Sequence, residues 1–135
     1  MADASPGLRA RPLSPHVWMW RWHVTMLASI LTRFTGIGLY GGALLLAVWA
    51  WALASGKASY SALMSLLESL PGQVVLIGLT FCVFYHLAAG IRHLLFDLGK
   101  GFAPATATAS AWFVIGSSAT TTLGFWIFAY MTGGA

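Results

Sequence analysis

The chain has 135 residues, of which 59% are hydrophobic and only 7% charged. A soluble domain carries about one quarter charged residues, so this chain cannot cover a water-facing surface, and lipid is its natural solvent. The net charge of +4 comes from dispersed basic residues rather than a run, which excludes nucleic acid as a partner.

The amino-terminal segment, residues 1–25, reads as a surface element on the inner face of the membrane. Arg9, Arg11 and Arg21 flank the first apolar stretch, the usual position of basic residues beside a membrane helix. Pro6, Pro12 and Pro15 argue against a helical transit sequence, and no signal-peptide pattern is evident. Trp18, Trp20 and Trp22 form either an aromatic belt at the headgroups or one wall of a partner or ligand site.

Residues 26–135 read as a three-helix transmembrane anchor. The apolar stretches are 26–54, 74–96 and 111–131, each long enough for the ~20 residues that a membrane helix needs. None alternates with period two, so helices are expected rather than barrel strands. In the first connection, residues 57–72, Tyr60, Leu63, Met64 and Leu67 recur at helical spacing and predict a short interfacial helix. The second connection, residues 99–110, holds Lys100, Gly101 and Pro104 and reads as a loop. Basic residues favour the amino terminus and the second connection, so the amino terminus is expected inside and the carboxyl terminus outside. Cys82 is the only cysteine, which leaves no internal disulfide and no multi-thiolate metal site.

Two polar stripes stand out, because a charge inside a span costs about 3 kcal/mol on insertion scales. On the first span Ser29, Arg33, Gly36 and Tyr40 lie at offsets 0, +4, +7 and +11 and share one face. Arg33 either contacts a ligand or snorkels to the headgroups. Gly38 and Gly42 form a separate pair at small-xxx-small spacing, as helix packing uses. On the second span His86, Gly90, His93 and Asp97 repeat the same four offsets. An imidazole one turn from a glycine gap suits a haem ligand, although a lone intramembrane histidine also serves in packing. His86 and His93 stand about 10.5 Å apart along a helix, too far to bind one iron. His93 also reads as a polar residue at the interface. His16 and His23 are too shallow to reach the level of His86, so a second ligand to the same iron would come from another chain.

Three runs carry a family resemblance. Arg11-Pro12-Leu13-Ser14-Pro15-His16, Ser29-Ile30-Leu31-Thr32-Arg33-Phe34-Thr35-Gly36 and Tyr85-His86-Leu87-Ala88-Ala89-Gly90-Ile91-Arg92-His93-Leu94-Leu95-Phe96-Asp97 resemble, in order, motifs of the cytochrome b membrane-anchor subunits of succinate dehydrogenase. The resemblance implies half of a heterodimeric helix bundle, with a second small anchor subunit, an iron–sulfur subunit and a flavoprotein subunit as partners. It implies haem b shared with the partner anchor, ubiquinone as substrate, His86 as the metal ligand, and Ser29 and Arg33 at the quinone, Arg33 also near a haem propionate. Where the family usually carries histidine this chain has Thr32, which puts one propionate contact in question. The expected haem-side residues are then His86, Arg33, Gly90, Gly36, Thr32 and His93, with no catalytic residue in the strict sense. A bacterial inner membrane is expected in preference to the mitochondrial one. The alternatives are a haem-free anchor of a fumarate-reductase-type complex, in which His86 packs, and a small transporter component with Arg33 on a polar path.

Overall fold

The computed structural model describes residues 21–133. Arg9, Arg11, His16, Trp18, Trp20, the 11–16 motif and so most of the amino-terminal segment lie outside the described residues. The rest forms four helices, α1 (Val24–Ala54), α2 (Lys57–Glu68), α3 (Leu70–Asp97) and α4 (Pro104–Met131), with no strand among the described residues. Three of them, α1, α3 and α4, are long and apolar enough to span a membrane. The three predicted spans are therefore present, each longer than its apolar stretch. At 1.5 Å per residue the 31 residues of α1 reach roughly 46 Å, well beyond the ~30 Å hydrocarbon layer, so α1 must tilt or project into the headgroups.

The loop expected over 99–110 is shorter than that. Gly99 and Gly101 take positive φ, 74° and 87°, and turn the chain, after which α4 starts at Pro104. Proline at a first helical position has no N–H to lose, and the alanines and threonines that follow sustain a helix outside the apolar zone. The predicted interfacial helix is α2, complete from Lys57. Ser69 ends α2 and caps α3, its hydroxyl accepting from the Gly72 N–H at 3.4 Å. A Cβ at Gly72 would run into the backbone of Leu66 and Leu67, so only glycine lets α2 fold back this tightly.

The three long helices run up, down and up, and α3 holds the other two. Against α1 the pairs descend in antiparallel register: Tyr85 with Ala28, His86 with Thr35 and Gly36, Cys82 with Gly38, Leu79 with Gly42. A Cβ at Gly38 would come 2.7 Å from the Cys82 sulfur, and one at Gly42 3.3 Å from Leu79. The small pair on α1 therefore brings the two backbones together, as in other membrane helix pairs. Against α4 the order is Arg92 with Ala107 and Ser110, Tyr85 and Ala89 with Val114, Phe84 with Phe125, Thr80 with Trp126, Gln73 with Tyr130.

The hydroxyls of α4 turn back onto their own helix. Thr108, Ser110, Ser117, Ser118, Thr120 and Thr122 donate to carbonyls three or four residues earlier. Lipid offers no water to such groups, and this internal bonding is how a helix rich in Ser and Thr remains compatible with it. Every buried side-chain nitrogen and oxygen among the described residues has a hydrogen-bond partner.

Candidate functional site

The site grows out of two adjacent residues, Tyr85 and His86, that face different neighbours because successive helical residues are rotated by about 100°. Tyr85 is fully buried, and its hydroxyl donates to the Ala28 carbonyl at 2.8 Å. It anchors α3 to the first turns of α1 and packs with Ala89 and Val114 at the centre of the bundle. His86 lies at the edge of that centre, partly exposed.

The His86 ring meets α1 across the seam. Its Nδ1 lies 3.3 Å from the hydroxyl of Thr35, a residue only 3% exposed. That hydroxyl also lies 3.1 Å from the Thr32 carbonyl. A Cβ added at Gly36 would stand 3.4 Å from His86 Cε1, so the ring faces α1 across the space that a side chain would fill there. Among the described residues Nε2 has no hydrogen-bond partner. One turn further along α3, a Cβ built at Gly90 meets nothing within 4 Å.

The two predicted stripes meet at one point, Gly36 against His86, and otherwise diverge. The seam residues Ala28, Thr35, Gly38 and Gly42 face α3. The Ser29, Arg33, Gly36 and Tyr40 stripe is rotated from them by roughly 140° at about 100° per residue. Ser29, Arg33 and Tyr40 are accordingly exposed on the outside of α1. Arg33 precedes Thr35 by two residues, roughly 3 Å along the axis, and so stands close to the level of His86. On α3, His93 and Asp97 are exposed, and His93 meets the Phe96 ring edge-on at 6.3 Å. Thr32 sends its hydroxyl back to the Ala28 carbonyl at 2.8 Å, the same carbonyl that Tyr85 uses. Trp22 is exposed and lines a small crevice with His23, Val24, Leu27 and Trp112.

For three residues that matter to this geometry the sequence gives less: Thr35 and Tyr85 only a place in the family-like runs, and Arg92 only a basic charge near the second connection. Thr35 lies off the polar stripe, and its importance comes from facing His86 across the seam. Tyr85 carried a signal in being a hydroxyl next to the histidine. Arg92 reads as a topological charge, yet its Nε donates to Ser110 Oγ at 2.8 Å and its Nη2 to the Ala107 carbonyl at 3.1 Å. Its guanidinium also sits 4.4 Å from the centre of the Phe96 ring, in cation–π range. Both partners on α4 fall within the stretch that reads as loop.

A cleft of about 700 Å³ opens elsewhere on the bundle, lined by Leu39, Gly42, Trp49, Leu79, Phe84 and Phe125 among others. It contains none of the predicted site residues, and its only polar side-chain groups are the Thr80 hydroxyl and the Trp49 indole N–H. It offers nothing to orient a polar headgroup. Among the described residues no group of three or more His, Cys, Asp or Glu could hold a metal by itself.

The donor set suits one side of an axially ligated porphyrin: a single imidazole with one nitrogen engaged and one open, glycine at two adjoining backbone positions, and a cation close to the same level. Comparison with known proteins points the same way. The family model for the succinate dehydrogenase/fumarate reductase transmembrane subunit matches residues 8–125. The chain is 37% identical over 101 residues to the succinate dehydrogenase cytochrome b556 subunit of Paracoccus denitrificans, covering 75% of this chain and 76% of the relative. Against the cytochrome b556 subunit of Rickettsia conorii it is 32% identical over 117 residues, 87% of this chain and 91% of the other. The mitochondrial cytochrome b560 subunit of Sus scrofa is 42% identical over 96 residues, 67% of this chain and 55% of that one.

Proposed function

Because the chain belongs to the succinate dehydrogenase/fumarate reductase transmembrane subunit family, as a non-catalytic membrane anchor of succinate dehydrogenase, we propose that it holds haem b jointly with a second small anchor and helps to form the ubiquinone-reduction site. The observation that carries this reading is His86, fixed through Nδ1 and Gly36 while Nε2 and the space along Gly90 stay open. The cytochrome b naming of the relatives supports haem b as the group received.

In this reading His86 would be the chain's ligand to the haem iron. Gly36 and Gly90 keep the backbone bare so that a flat ring system fits against it, and Arg33 offers its cation to a propionate. His93 and the remaining lone pairs of Thr32 contribute at the rim. Bound haem supplies one-electron redox chemistry, which the surrounding protein tunes. The second axial ligand comes from the partner anchor. His23 precedes Thr35 by twelve residues, roughly 18 Å along a helix, and His93 is about 10.5 Å from His86, so neither reaches the same iron.

Ser29 and Arg33 face out from α1 and serve the quinone. A quinone that gains electrons builds negative charge on its oxygens before protons arrive. The Ser29 hydroxyl orients one oxygen by hydrogen bonding, and the Arg33 cation stabilises the developing charge. Protons enter from water on that side or from a partner residue. A flavoprotein subunit that oxidises succinate and an iron–sulfur subunit that conducts its electrons dock on the same side. We read the chain as an inner-face segment, residues 1–25, followed by the anchor, residues 26–135. The amino terminus lies inside, the carboxyl terminus outside, and the membrane is the bacterial inner one.

The test is a dithionite-reduced minus oxidised spectrum of the solubilised complex, with and without His86→Ala. A b-type α-band present in the wild type and absent from the variant is the expected result. A wild-type complex with no such band would make this a haem-free anchor in which His86 packs.

A further inference from the structure

We propose that Thr35 is the positioning residue that selects which nitrogen of His86 binds the metal, by accepting a hydrogen bond from Nδ1–H and so leaving Nε2 as the ligand. The inference rests on the reading of His86 as a haem ligand and adds the residue that makes it competent.

Proton counting carries it. A threonine hydroxyl has one proton to donate and two lone pairs that accept. Thr35 Oγ1 stands 3.1 Å from the Thr32 carbonyl, three residues earlier on its own helix, and 3.3 Å from His86 Nδ1. A carbonyl oxygen can only accept and stands nearer than Nδ1, so we assign the hydroxyl proton to the Thr32 carbonyl. What Thr35 then presents to His86 is a lone pair, and Nδ1 must bring the proton. In a neutral imidazole with Nδ1 protonated, the free electron pair lies on Nε2.

Location makes the choice firm. Thr35 is 3% exposed within the α1–α3 seam, where no water competes for the ring. The Cε1 and Nδ1 edge of the His86 ring faces α1 at Gly36, where an added Cβ would stand 3.4 and 3.9 Å from those atoms. A ligand imidazole whose other N–H is bonded to an acceptor is also a stronger electron donor to its metal. Thr35 therefore stabilises the ferric over the ferrous state.

The experiment uses the intact complex carrying Thr35→Val, Thr35→Ala or Thr35→Ser, with assembly checked by flavin content and succinate–dye activity. The readouts are the haem midpoint potential and the g-values of the ferric haem. Val and Ala both remove the acceptor and should raise the potential by a similar amount, since changes in such supporting contacts alter metal properties by about tenfold or more. A tenfold change in the reduction equilibrium is about 59 mV for one electron. Ser should restore the wild-type value. Pulsed EPR of the wild-type ferric complex, which reads hydrogen bonding at the remote ring nitrogen, needs no substitution and should report a bonded Nδ1–H. The proposal is overturned if Val and Ala leave potential and g-values unchanged, if only one of them shifts the potential, or if the remote nitrogen is unbonded. Absence of haem from the wild type, or a haem band that survives His86→Ala, would overturn the ligand reading and this inference together. Normal haem loss in His86→Ala with silent Thr35 variants would overturn this inference alone.

Discussion

Two faces of α3 at the same depth have opposite characters. Toward α4 the chain completes itself: Tyr85 and Ala89 are buried, and Arg92 satisfies its guanidinium on Ser110, Ala107 and Phe96. Rotated by roughly 100°, at about 100° per residue, His86, Gly90 and His93 form a face that the described residues cover only in part. The closed face uses polar groups to join helices. In the proposed function the open face holds polar groups for a haem and a partner outside the chain. Intramembrane charge is thus of two kinds here, and Arg92 and Arg33 represent one each.

Substitutions on the two arginines separate the kinds most sharply. Arg33→Ala should lower succinate–quinone activity by about 100-fold, the scale for losing one group that stabilises developing charge, while leaving succinate–dye activity intact. Equal loss of both activities would move Arg33 to the structural side of the comparison. Arg92→Leu should do the opposite. Loss of its two hydrogen bonds costs about 3 kcal/mol and lowers the yield of assembled complex, so that both activities fall in parallel per cell. Activity per assembled complex should stay close to wild type, and a selective loss of quinone activity would contradict the assignment.

The smallest effect sharpens the same contrast between filled and open glycines. Gly38→Ala drives a Cβ into the Cys82 sulfur and should destabilise the complex by about 1–3 kcal/mol, read as a lower midpoint in thermal unfolding. Adding Cys82→Ala should recover most of that loss. No recovery would mean that the α1–α3 seam is not limited by this contact.

The spans, the interfacial helix and the small pair on α1 were legible because lipid imposes long apolar runs and close packing imposes small residues at fixed spacing. The starts of the helices were less so. Residues 104–110 read as loop because apolarity ends there, but a helix needs internal hydrogen bonds rather than apolar side chains to continue into the headgroup region. That error hid the partners of Arg92, since Ala107 and Ser110 seemed to have no fixed geometry. Stripe reasoning singled out His86, Gly90, Arg33 and Ser29 from their spacing. It passed over Thr35, because a contact across two helices depends on their register, which neither helix encodes alone. The pairing of Gly36 with His86 has the same origin.

The corner at Ser69 bears on how the protein is made. Its closing contacts, from the Leu66 and Leu67 backbone to Gly72 and the Ser69 cap, involve only neighbouring residues. The corner can therefore set as soon as residues 57–73 have left the ribosome, before α4 has been synthesised. α3 then enters the bilayer already braced at one end.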